Sequence, residues 1–324
     1  MKIKIKMKIY KSESLSPYEN LAIEKYLTSH LKMGEIILFL WRNADTIVVG
    51  RNQNVWQECR VSEFLEDGGR IARRLSGGGA VYHDVGNLNF SFIYDDGVWS
   101  TEKGLRVIAD ACRPFGIDAQ VSGRNDILVG GSKFSGNAFY TLNGENVKAF
   151  CHHGCILISA DTDRLSKFLT VSKAKLESKG VRSIKSRIVN LGSLSDSISV
   201  DSLSESLARA FAGDAPVRPV KINDEIKKDA EFFASDEWLF GRKIDFTHSF
   251  GERFSWGGID LSFKVSGGIV EDCQVCSDSM NEALAPFAEK AFIGKRFSYD
   301  ALSKALGEDI PEAKDIKDLI YRNI

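Results

Sequence analysis

The first strongly apolar stretches, Ile36 to Trp41 and Thr46 to Val49, are short, rich in β-branched residues and bounded by polar or glycine punctuation, and they predict a pair of strands. Ahead of them, Ser16-Pro17-Tyr18-Glu19 has the form of a capping box with proline at the first helical position, predicting a helix to about Leu31. A second helix is expected from Glu58 to Glu66, ended by Asp67-Gly68-Gly69. From Ile71 to Tyr94 the pattern is strand, glycine loop, strand, turn, strand, with polar and apolar residues alternating from Asn87 onward, which reads as hairpins. Leu105, Ile108, Ala109 and Cys112 recur at helical spacing before Pro114 to Gly116, so an amphipathic helix packs on the sheet. Strands follow at Ile127 to Val129, Phe134 to Tyr140 and His153 to Ser159. Asp161 caps a short helix to Leu169, and two more helices are expected near Ser202 to Phe211 and Asn223 to Phe233.

After Trp238 to Asp245 the pattern changes to three meandering strands, Glu252 to Trp256, Ile259 to Val265 and Ile269 to Cys276, and helices near Asn281, Tyr299 and Ala313. The expectation is an α/β (α+β) protein of two domains. Residues 1–245 are expected to form a large domain with a mixed, mainly antiparallel sheet flanked by helices, and residues 246–324 a small α+β domain.

At 324 residues, 43% hydrophobic, 27% charged and with a formal net charge of -1, the chain has the profile of a globular protein with no bulk nucleic-acid binding. No run approaches the roughly 18 apolar residues of a membrane helix, and the lysine-rich start has no signal-peptide core behind it. A cytoplasmic monomer without membrane attachment is expected. Six scattered cysteines do not make a disulfide framework.

Candidate chemistry centres on Ser76-Gly77-Gly78-Gly79-Ala80. Three successive glycines let backbone approach a ligand closely, although such a run is as readily a tight turn. Arg73 and Arg74 precede it, and guanidinium groups match phosphate and carboxylate geometry, so anion binding is the better reading. A second motif, Gly123-Arg124-Asn125-Asp126, enters a strand, and Lys133 opens the next strand after Gly130-Gly131.

Together these pieces resemble the lipoate-protein ligase family of the biotin/lipoate ligase superfamily. The resemblance is carried by residues 73–89, from Arg73 through Ala80-Val81-Tyr82-His83 to Asn89, by Lys133-Phe134-Ser135-Gly136-Asn137-Ala138, by Cys151-His152-His153-Gly154 and by Lys185 to Leu191. Leu40-Trp41-Arg42-Asn43 and Gly50-Arg51-Asn52-Gln53-Asn54 fit as well. It implies that lipoate and ATP give lipoyl-adenylate and pyrophosphate, and that the lipoyl group then passes to a lysine. The implied acceptors are the apo lipoyl domains of 2-oxoacid dehydrogenase acyltransferase subunits and the glycine-cleavage H protein. The implied site consists of Lys133 as the catalytic cation and Arg74, Ser76, Gly77, Gly78, Gly79, Ala80, Val81, Tyr82, His83, Asn125 and Asp126 around ATP and lipoate. Asp126 is the candidate ligand for Mg2+, since hard cations take oxygen ligands.

Rival readings stay open at this level. They are an octanoyltransferase using a cysteine, a lipoyltransferase supplied with preformed lipoyl-adenylate, a biotin ligase, whose glycine loop is interrupted by arginine, and a non-catalytic binder of lipoate or nucleotide. Cys151 to Cys155 lacks closed zinc spacing, and His152 and His153 read as strand-entry residues. Cys273 and Cys276 lie in a predicted strand, away from the helix start that redox pairs favour. The basic run Lys173 to Arg187 is either a solvated face or a surface that steers an acidic acceptor.

Overall fold

The computed structural model describes residues 5–95, 97–122, 126–144, 147–170, 188–241 and 246–324. Its largest element is an eight-stranded sheet. In chain order the strands are β1 (Lys6–Lys11), β2 (Glu35–Trp41), β6 (Asn87–Asp95), β7 (Gln120–Ser122), β8 (Asp126–Val129), β9 (Ser132–Asn143), β10 (Lys148–Leu157) and β11 (Val217–Pro219). They are arranged β11-β1-β2-β6-β10-β9-β8-β7, parallel at the β11-β1-β2 edge and antiparallel throughout the rest. Between them in sequence, β3 (Thr46–Val49), β4 (Arg70–Arg73) and β5 (Val81–His83) form a separate three-stranded sheet in the order β4-β3-β5.

Helices cover both faces of the large sheet. On one side α4 (Thr101–Cys112) and α6 (Val200–Ala212) bury Leu105, Ile108, Leu207 and Phe211 against Leu38, Phe90 and Phe92. On the other, α1 (Pro17–Ser29) and α7 (Asp224–Ala234) pack on Ile37, Phe39, Ile93 and Tyr140. The small sheet shares this second core through Val48 and Ala72, and its far face is closed by α3 (Val61–Glu66) and α5 (Thr162–Phe168) through Phe64 and Phe168. A cleft is left between the two sheets.

Several local expectations change. β2 and β3 belong to different sheets, with β2 between β1 and β6 and β3 between β4 and β5. The glycine loop joins two strands that β3 separates, so it is no hairpin turn. Ser16 begins α1 without a side-chain cap, because the Ser14 hydroxyl accepts from the Ser16 amide and donates to Glu19. The helix expected at Glu58 to Glu66 divides into α2 (Val55–Glu58) and α3 where Cys59 is extended and bridges Leu169. The alternation along β6 does not mean one wet face, since Asn87, Asn89 and Ser91 are as buried as Leu88, Phe90 and Phe92.

Beyond residue 246, β12 (His248–Phe254), β13 (Gly257–Ser266) and β14 (Ile269–Ser277) make an antiparallel sheet. Helices α9 (Leu284–Phe292), α10 (Tyr299–Leu306) and α11 (Ala313–Asn323) cover it around a core that includes Phe263, Cys273, Phe292 and Leu302. The segment leaving β14 lies on the glycine loop. Ser277 donates its amide to Asn52, Gly78 donates to the Ser279 carbonyl, and Asn52 Nδ2 reaches the Glu282 carbonyl. No helix among the described residues is long and apolar enough to cross a membrane.

Candidate active site

The loop leaving β4 is shaped from inside by Arg74. Its Nε donates to Ser76 Oγ at 2.9 Å, Nη1 to the Val48 carbonyl at 3.1 Å, and Nη2 to the carbonyls of Gly77 and Gly79 at 2.7 and 2.8 Å. Burial lowers its pKa to about 10, which still leaves a full charge at neutral pH. Two glycines have local reasons: Gly78 sits at φ 88°, and a Cβ at Gly77 would lie 2.4 Å from the Ser279 carbonyl oxygen. The chain therefore passes between Arg74 and the C-terminal domain with no room for side chains.

Beside the loop lies a cavity of about 220 Å³ in the cleft between the sheets. One part of its lining is polar: Arg74, Lys133, Asp126, Asn137 and the Gly78-Gly79 backbone. Leu21, Trp41, Val48, Val81 and Ala138 supply an apolar part, and Met280 reaches in from the C-terminal domain. Lys133 Nζ lies 2.6 Å from Asp126 Oδ1, both partly buried. The lysine can fold over its own strand because residue 136 is glycine, where a Cβ would stand 2.7 Å from Nζ. Past residues 171–187 the chain rejoins β9 at the same point, with the Val189 amide donating to the Lys133 carbonyl.

A buried relay supports the loop from the main sheet. Glu24 of α1 accepts from Ser91 Oγ at 2.5 Å and from His153 Nδ1 at 2.8 Å, and His153 Nε2 meets Ser76 Oγ at 2.7 Å. Ser76 in turn accepts from Arg74. His153 is thus mid-strand rather than at a strand entry, and so is His152, whose ring faces α4 and whose Nε2 donates to Asn137 Oδ1 at 2.9 Å. Burial first, with His153 nearby, pushes the pKa of His152 down to about 3, and burial with Arg74 and His153 does the same to His83.

Both rings stay neutral in the fold while the unfolded chain protonates near 6.5, so their contribution is fully present above about pH 6.5 and is lost as pH falls toward 3. Each is expected to remove roughly 1.4 kcal/mol per pH unit. Urea titrations from pH 7.5 to 5 should show a falling midpoint, flattened in His152→Gln; a midpoint constant over that range would refute the assignment.

Of the residues singled out in the sequence, Arg74, Gly78, Gly79, Ala80, Val81, His83, Asp126 and Lys133 line the cavity. Ser76 lies behind it, wholly buried, and Gly77 faces the C-terminal domain. Tyr82 points its side chain away, stacking edge-on against Phe64 and bonding Asp45 through its hydroxyl. Asn125 and the basic run Lys173 to Arg187 lie outside the described residues. Arg73 binds no open space: its guanidinium donates to the carbonyls of Gly50, Arg51, Gln53, Trp238 and Leu239. Sequence reasoning missed Glu24, whose helical position alone gave no sign of burial.

Residues 16–212 match the family model of the lipoyl protein ligase A/B catalytic domain. The chain belongs to this family. Residues 243–320 match the bacterial lipoate protein ligase C-terminus. Among curated relatives, a lipoate-protein ligase A from Bdellovibrio bacteriovorus is 36% identical over 314 residues, covering 93% of this chain and 91% of the relative. One from Blochmanniella floridana is 35% identical over 312 residues, covering 92% and 91%. Among solved structures, LipL1 of P. falciparum in complex with lipoate superposes with a TM-score of 0.83 at 29% identity, covering 97% of each chain. In this member of the family the polar and apolar parts of one cavity lie side by side at the glycine loop.

Proposed function

We infer that the chain is an ATP-dependent lipoate-protein ligase, and that the cavity between the two sheets holds the acyl acid with its carboxylate toward Lys133. The observation that carries this is the juxtaposition of the Lys133–Asp126 pair and the Arg74-braced glycine backbone with a slot lined by Leu21, Trp41, Val48 and Val81. An amphipathic acid fits such a division, its charge at the cations and its tail in the dry part.

In the first half-reaction a carboxylate oxygen attacks the α-phosphorus of ATP, and the bond to the bridging oxygen breaks to release pyrophosphate. Two anions must meet, so fixed cations are required before attack. Lys133 supplies one at the cavity wall, and Arg74 a buried one that also fixes the Gly77 and Gly79 carbonyls. In the second half-reaction an uncharged lysine amine attacks the acyl carbon and AMP leaves. That lysine, with an ordinary pKa near 10.4, must first give up its proton. Asp126, a single carboxylate at the polar wall, fits a Mg2+ ion that takes most of its oxygen ligands from phosphates and water, and such an ion would offset phosphate charge.

A lipoate protein ligase from Thermoplasma acidophilum, solved as a bipartite enzyme and described with its E2 lipoyl domain, aligns over 75% of this chain with a TM-score of 0.61 and 25% identity. This supports lipoyl domains as acceptors here. We extend it to the acyltransferase subunits of 2-oxoacid dehydrogenases and to the glycine-cleavage H protein, and propose a cytoplasmic monomer with residues 1–245 catalysing and 246–324 accessory. The Ser279–Gly78 contact favours a C-terminal domain that closes over the adenylate. The test is to mix the protein with ATP, magnesium and lipoate and follow pyrophosphate release and mass gain on a lipoyl domain separately. Both are expected; release without mass gain would remove the transfer step, and neither would remove the reading.

A further inference from the structure

His83 is a polar group in the cavity whose proton can be located from its neighbours. Asn20 Nδ2 lies 2.7 Å from the Arg42 carbonyl, 3.1 Å from the Ser14 carbonyl and 3.0 Å from Asn43 Oδ1. Two backbone carbonyls fix that end of Asn20 as the donor. Asn43 Oδ1 is therefore the acceptor, which makes Asn43 Nδ2 the donor that stands 3.2 Å from His83 Nδ1. Nδ1 accepts, so the proton of the neutral ring resides on Nε2. The edge-on contact with Trp41, centroids 6.1 Å apart at 76°, holds the ring plane.

His83 is only 5% exposed and lines the cavity, and among the described residues no hydrogen-bond partner meets its Nε2. Its neighbours in the cavity wall include Trp41, Val48 and Val81. A cavity-lining donor with a fixed direction, with Trp41, Val48 and Val81 beside it and Arg74 and His153 also near, discriminates between ligands that are alike in carbon skeleton but differ in one acceptor. A straight alkyl tail leaves the N–H unmade, whereas a ring sulfur is a weak acceptor that meets it.

Resting on the reading of this cavity as the acyl-acid slot, we propose that His83 is a specificity-determining residue whose Nε2–H, oriented through Asn20 and Asn43, selects a dithiolane tail over a saturated chain of equal length. The proposal concerns recognition only. It places no bond-making step on His83.

The test is calorimetric binding of lipoate and of octanoate to the full chain without ATP, for the unaltered protein and His83→Phe, with 15N NMR of the histidine rings of the unaltered protein. Lipoate is expected to bind about tenfold tighter than octanoate, and His83→Phe to bring the ratio near one by weakening lipoate alone. The His83 signals should report an Nε2-protonated neutral ring from pH 8 to 5.5. A ratio unchanged in His83→Phe, an equal loss for both acids, or an Nδ1-protonated ring would each overturn the proposal. Failure of the unaltered protein to bind either acid would instead overturn the reading of the cavity. Should His83→Phe not fold, the NMR tautomer and the binding ratio of the unaltered protein decide the question, a ratio of one refuting it.

Discussion

Replacing Lys133 with alanine is expected to lower lipoate-dependent pyrophosphate release by at least about 100-fold, the scale of losing one preorganised charge-stabilising donor. Its Nζ is 2.6 Å from Asp126, so with the acyl acid and ATP placed as proposed the variant leaves a carboxylate beside two further anions. Lost attraction and unmasked repulsion act in the same direction. The fold should survive, because the side chain is at the cavity wall, partly exposed, and its backbone bond to Val189 does not depend on it. Pyrophosphate release measured with saturating ATP, beside a thermal melt, separates the two quantities. Near-normal release from a folded Lys133→Ala protein would overturn the placement of chemistry at this cavity.

The elements were legible in the sequence more often than their partners were. β2 and β3 were both readable as strands from their β-branched runs, but period-two alternation says which residues share a face and is silent on which sheet a strand joins. Strands β1 and β11 escaped because each lies near an edge: β1 is lysine-rich, with Ile9 its fully buried residue, and β11 is exposed along its length. The cavity wall was legible where the motif residues themselves face it, at Arg74, Asp126 and Lys133. What supports that wall was not. Glu24 is 129 residues from the His153 it holds, and no local pattern distinguishes a buried glutamate on a helix from a solvated one. His152 and His153 look alike in sequence, yet strand geometry sends one to α4 and the other to the glycine loop.

The paired arginines show how much adjacency conceals, and their separation predicts two different phenotypes. Arg73→Ala should destabilise the protein by about 3–5 kcal/mol, since it removes a buried guanidinium and strips donors from five carbonyls that hold α8 (Asp236–Phe240) and the 50–53 turn to β4. Its rate per folded molecule should stay within a few-fold of normal, because the side chain does not line the cavity. Arg74→Ala should also lose stability, but its rate per folded molecule should fall by about 100-fold or more, because the same guanidinium holds the Gly77 and Gly79 carbonyls and supplies charge to the cavity. Measuring kcat at 15 °C, with the folded fraction fixed by urea titration of each variant, distinguishes them. Equal losses of rate per folded molecule would mean that Arg73 acts on the chemistry too. A normal rate in Arg74→Ala would mean that the loop keeps its shape without its internal brace, and that the charge beside Lys133 is dispensable.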